Sequence, residues 1–109
     1  MTYQDVDKII AGIGLPYSYY EFPDDTPQSP PFICFFFEGS DDLMADDINY
    51  QPIRPLTIEL YTDNKDFALE AQVETALNAA GLAFARSEAY IGSERMYQIT
   101  YDTEVVING

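Results

Sequence analysis

The apolar positions of this chain fall into segments with two different periods. Val6, Ile9, Ile10 and Ile13 recur at helical spacing behind Thr2, which pairs with Asp5 as a variant of the capping box. Gly14 and Pro16 stop that segment, so a short amphipathic helix is predicted over residues 3–13. Tyr17–Phe22 is dominated by Tyr and has strand propensity, and the following residues 23–31 hold four of the seven prolines together with Asp24-Asp25. A strand therefore feeds a stiff, exposed loop. Phe32–Phe37 is apolar throughout and too short for a helix, which reads as a strand covered on both faces. Arg54–Thr62 alternates, with Leu56, Ile58 and Leu60 on one side and Thr57, Glu59 and Tyr61 on the other. Asp63 or Asn64 can cap a second helix whose stripe is Leu69, Val73, Ala76, Leu77 and Ala80, with Gly81 at its C-terminal stop. Asp66 and Glu70 lie near its N-terminus, where the helix dipole favours negative charge. Two strands close the chain, about 83–91 and 95–107, with Gly92 and Ser93 in the turn.

The fold class expected from this order is α+β: a mainly antiparallel sheet of five to six strands with two helices packed on one face, in the order α-β-β-β-α-β-β. Hairpins are expected wherever consecutive strands meet. A length of 109 residues without internal repeats or low-complexity tracts predicts a single domain over 1–109.

Charge narrows the chemistry. Nineteen Asp and Glu face five Lys and Arg with no His, giving a formal charge of −14. The cations Lys8, Arg54, Lys65, Arg86 and Arg95 are dispersed, so direct nucleic-acid binding, which depends on the number of phosphates neutralised, is not expected. The same balance disfavours anionic membranes, and no run approaches the roughly 20 apolar residues of a spanning helix. Residues 1–8 lack the apolar stretch of a secretory signal, which predicts a soluble protein first resident in the cytoplasm.

Catalysis lacks its usual parts. The one cysteine, Cys34, sits within an apolar run and reads as a core residue, and without His no Cys-His or Ser-His pair can be built. No phosphate-cradling loop and no zinc-ligand spacing occurs. The acidic segment Glu38–Asp47 does not meet the register of an EF-hand loop and reads as a solvated loop or hairpin tip, with a structural calcium site built from its carboxylates as the alternative. No catalytic residue, metal or cofactor is expected. The remaining anomaly is nine Tyr and seven Phe. Core packing claims many of them, and a subunit interface is the competing destination for the rest, since Tyr and Phe are enriched there.

Four stretches carry a resemblance. They are Gly14-Leu-Pro-Tyr-Ser-Tyr-Tyr-Glu-Phe-Pro23, Ser29-Pro-Pro-Phe32, Ile58-Glu-Leu-Tyr-Thr-Asp-Asn-Lys-Asp-Phe67 and Glu104-Val-Val-Ile-Asn-Gly109. Together they resemble small acidic proteins of phage and prophage tail-assembly regions, the tail-terminator or tail-completion family of long-tailed phages. The resemblance implies a non-enzymatic structural protein of the virion, assembled in the host cytoplasm and placed at the head–tail junction. It implies a homo-oligomeric ring, a hexamer, that caps the tail tube protein and meets the head-completion protein. Carboxylates facing the bore would repel DNA and leave it mobile. The candidates are Asp41, Asp42, Asp46 and Asp47, with Glu59 and Glu104 from the sheet. Ring subunits pair heterologously, so two different patches are needed. Tyr17, Tyr19, Tyr20 and Phe22 are assigned to one, and Tyr90 and Tyr97, in the hairpin Arg86–Tyr101, to the other. Two rivals remain: an acidic DNA mimic that occupies the nucleic-acid site of a basic partner, and a small hydrolase working with a carboxylate pair and a metal.

Overall fold

A computed structural model describes residues 1–25, 27–39 and 53–108. The elements are α1 (Tyr3–Ala11), β1 (Tyr17–Tyr19), β2 (Phe32–Phe37), β3 (Ile53–Thr62), α2 (Phe67–Ala79), β4 (Phe84–Ile91) and β5 (Met96–Val106). The five strands form one sheet in the spatial order β1-β2-β3-β5-β4. This is the α+β order read from the sequence.

Local chemistry sets the boundaries. Thr2 Oγ1 accepts from the Asp5 N–H while the Asp5 carboxylate accepts from the Thr2 N–H, closing both halves of the capping box at 3.1 and 2.8 Å. That geometry holds the Asp5 carboxyl below its ordinary pKa. Gly14 and Gly81 take positive φ values of 92° and 76° where the chain leaves each helix, a conformation open to glycine at no steric cost. The cap of α2 is Asp66, which accepts from the Leu69 N–H at 3.0 Å, and not Asp63 or Asn64. A cap side chain reaches only the N–H groups two or three positions on, and α2 starts at Phe67, too late for a cap at Asp63 or Asn64.

Alternation decides what the sheet buries. Ile33 and Phe35 of β2 stand in register with Leu60 and Ile58 of β3, which in turn face Ile99 and Tyr101 of β5. These six are buried and join Val6 and Ile10 of α1 and Val73 and Leu77 of α2 in one core. Both helices therefore lie on the same face. Truncating a fully enclosed member such as Ile58 to Ala is expected to cost about 2–5 kcal/mol, the usual range for a core cavity.

One expected connection differs. β1 pairs with β2 in parallel, Tyr17 with Ile33 and Tyr19 with Phe35, so the first two strands do not form a hairpin. Parallel neighbours need a long return path, and residues 20–31 supply it; Tyr20, at φ 70°, turns the chain out of the strand. Of the other two consecutive pairs, β4 and β5 form the expected hairpin, and β2 and β3 are antiparallel as well. The second face of β2 is covered as the apolar run required, but by rings: Phe22 packs edge-on against Phe32, and Tyr20 lies over Phe36.

Candidate assembly site

Three surfaces gather the predicted residues: the β1 edge, the β4 edge and the helix-free face of the sheet. At the β1 edge, Tyr19 packs on Phe35 and Phe37 with ring centroids 5.4 and 6.3 Å away, and its Oη accepts from the Phe37 N–H at 3.1 Å. Tyr20 is 63% exposed. Tyr17 and Phe22 are half-buried; the Tyr17 ring packs against the core and its hydroxyl donates to Asp7, while Phe22 is held by Phe32. The four residues thus share an edge, with Tyr19 and Tyr20 presenting the outward rings. Beside them Arg54 donates to the Tyr3 hydroxyl and to the Glu38 carbonyl, its guanidinium 5.9 and 5.6 Å from the centres of the Tyr3 and Phe37 rings. A shallow cavity of about 420 Å³ opens among Tyr3, Asp7, Tyr19, Phe35, Phe37 and Arg54.

At the opposite end of the sheet, Tyr90 and Tyr97 form a pair at 4.9 Å, with Tyr90 56% exposed and Tyr97 half-buried. Phe67 joins this patch and is 73% exposed; Lys65 Nζ sits 4.9 Å from its ring centre and 6.0 Å from that of Tyr97. Sequence reasoning missed Phe67. The signal was its place off the α2 stripe, since a large aromatic outside the buried face of a helix has only solvent or a partner to meet.

The helix-free face is aromatic over β2 and polar and acidic over β3 and β5. Glu59, half-buried, accepts from the Tyr61 hydroxyl at 3.0 Å and from Gln98 Nε2 at 3.1 Å, while Gln98 also donates to the Tyr61 oxygen. Burial raises the Glu59 pKa, the Tyr61 hydrogen bond opposes that, and the Asp102 charge adds to it. The Tyr61 hydroxyl is itself pushed up to about 12, chiefly by burial. The Thr57 hydroxyl donates to Asp102 at 2.9 Å, and Glu104 is exposed on the same face. Asp102 also went unselected in the sequence, although it shares the polar phase of β5 with Glu104. An open groove of about 810 Å³ runs past Glu38, Thr57, Asp102 and Glu104. Asp41, Asp42, Asp46 and Asp47 lie outside the described residues.

A chain from the virion of a native gene transfer agent (GTA) particle has the same fold. The two superpose with a TM-score of 0.62 over 98% of this chain and 91% of that one, at 18% identity. No family model matches the sequence, and no curated protein matches it.

Among the described residues no three His, Cys, Asp or Glu side chains are grouped to hold a metal ion. No helix among them is long and apolar enough to cross a membrane. Cys34 is buried, and desolvation first, then the nearby Glu59 and Glu21 charges, push its thiol up to about 11, which leaves it a poor nucleophile at neutral pH.

Proposed function

We propose that this protein is a structural subunit of a phage-like virion: a tail terminator that forms a homo-oligomeric ring on the end of the tail tube, where it meets the head-completion protein. The observation that carries the reading is the pair of unlike aromatic patches on the two opposite edge strands, β1 and β4, of a sheet whose fold also occurs in a virion. A head-to-tail ring requires two different surfaces facing away from each other, and an isologous dimer requires one. The helix-free face is assigned to the bore. Glu59, Asp102 and Glu104 share it, and the acidic residues Asp41, Asp42, Asp46 and Asp47 are assigned a DNA-repelling role as well, so that passing DNA meets like charge and slides instead of binding. No catalytic step is assigned.

The test is the mass of the particle in solution by light scattering, alone and after mixing with purified tail tube protein. A ring mass in either condition supports the reading, and a single-chain mass in both sinks it. The variant Tyr20→Asn with Tyr90→Ser checks the surfaces. Asn tolerates the positive φ at position 20, and both side chains are more than half exposed, so the fold should persist and assembly should be lost. A variant that assembles as well as wild type removes these rings from the interface.

A further inference from the structure

Both lateral edges of the sheet end in strands that take one neighbour each. β4 pairs with β5 in an unbroken register from Phe84–Thr103 to Ile91–Met96, and its six central residues are exposed. It contains no proline and its register has no bulge. Natural proteins blunt such edges with proline, bulges or charge, because a long bare edge templates another strand. The two charges on β4, Arg86 and Glu88, pair with each other at 3.2 Å and belong to an internal ion cluster. At the other edge, the Pro16 carbonyl accepts from Ile33 N–H and the Tyr20 N–H donates to the Phe35 carbonyl. Residues 16, 18 and 20 therefore face β2, and by alternation the backbone groups of Tyr17 and the Tyr19 N–H point outward, while the Tyr19 carbonyl accepts from the Glu21 N–H at 2.9 Å.

Strand direction then restricts the occupant. β2, β3, β5 and β4 alternate in direction across the sheet, and β1 runs parallel to β2, so β1 and β4 run opposite to each other. Rotation about an axis along the strands keeps every direction unchanged. A second copy brought alongside by such a rotation presents its β1 antiparallel to β4 of the first. The rows match too: Ser18, Cys34, Glu59, Thr100 and Ser87 form one cross-strand row on the helix-free face, with Ser18 and Ser87 at its two ends.

We infer that β4 of one copy pairs antiparallel with β1 of the next, so that the ring is closed by one continuous sheet running from subunit to subunit. This rests on the ring reading above. Backbone pairing suits subunits of charge −14, since hydrogen bonds between main chains need no countercharge. Tyr19 and Arg86 lie in one row on the helix-bearing face, so the seam also brings an aromatic ring toward a guanidinium.

Cysteine cross-linking of the full chain tests it. Ser18→Cys is mixed with Ser87→Cys, and in parallel with Ala85→Cys and Ala89→Cys, which lie two residues either side on the same face. Cross-strand neighbours stand about 4.5–5.5 Å apart at Cβ, within reach of a disulfide. Every variant also carries Cys34→Ala, because Cys34 is the cross-strand neighbour of Ser18 on the same face and its free thiol would otherwise capture S18C within one chain. The expected result is a covalent dimer in at least one mixture, none from any single variant alone, and a ladder of covalent multimers from the double variant S18C/S87C or its shifted equivalent. Self-linking of S87C alone would show two-fold pairing of β4 and overturn the seam. A ring mass by light scattering with no cross-link in any mixture also overturns it, while leaving the ring intact. A single-chain mass throughout, with and without tail tube protein, takes down the ring reading itself. Thermal melting of each variant confirms that the comparison is between folded chains.

Discussion

Glu70 shows how much one side chain can hold in a small acidic domain. It is 3% exposed on α2, and a carboxylate that deep is tolerated only when paired. Lys65 Nζ lies 2.7 Å from one oxygen, Arg86 bonds the other through Nη2, and Arg86 Nε reaches Glu74 at 3.6 Å. Tyr101, fully buried below, donates to Glu74 at 2.9 Å, so the cluster ties α2 to β4 and β5. The Glu70 hydrogen bond holds Arg86 firmly protonated. Replacing Arg86 with Met should cost about 3 kcal/mol in urea denaturation, because the carboxylate loses its stronger partner while staying buried. Adding Glu70→Gln should recover part of that loss, and strict additivity of the two would show that they do not interact. Glu59 behaves in the opposite way. Its folded pKa is raised, so the folded state binds a proton more readily than the unfolded chain, and the stability this brings is present at low pH and lost as pH rises through the folded value. Glu59→Gln should therefore melt above wild type at neutral pH, with a gap that closes as pH falls below the ordinary value of about 4.5. A gap independent of pH would assign the effect to packing.

Elements were legible wherever a local period or a cap wrote them. The capping box named α1 from Thr2 and Asp5, and its removal by Thr2→Ala should cost about 1 kcal/mol, read as a lower Tm with unchanged strand signal. Alternation in Arg54–Thr62 and in the last strand fixed which residues face the core, because a slip of one position would expose Ile58, Leu60, Ile99 and Tyr101 together. What no period carries is partner choice. A Tyr-rich strand, a proline-rich loop and an apolar strand are consistent with a hairpin or with a parallel return, and only the turn at Tyr20, which an aromatic residue gives no hint of, separates the two. The same limit applies to the surfaces. That Tyr17–Phe22 and the last hairpin held aromatics was plain in the sequence; that they occupy opposite edges follows from a strand order whose outermost members are β1 and β4. The Tyr17 ring turned inward because, in register with Ile33, it falls on the helix-bearing face.

At the scale of the whole molecule, the net charge sets the sign of a decisive experiment. Each copy carries −14, so copies repel at distance, and any ring must hold through short-range contacts that work against that field. Aromatic patches and main-chain pairing are contacts of this kind, little affected by salt, whereas the repulsion between exposed carboxylates is screened within a Debye length of about 8 Å at physiological ionic strength. Raising sodium chloride should accordingly strengthen assembly and shift the light-scattering mass upward at fixed protein concentration. A protein whose carboxylates imitate a phosphate backbone obeys the reverse rule, because its complex with a basic partner is itself electrostatic and weakens steeply with salt. The two readings of one acidic surface thus predict opposite slopes, and the slope requires no knowledge of ring size or neighbours. Assembly that dissolves as salt rises would mean that the carboxylates join subunits instead of keeping them apart, and would move the functional surface from the tyrosine-bearing edges to the acidic face.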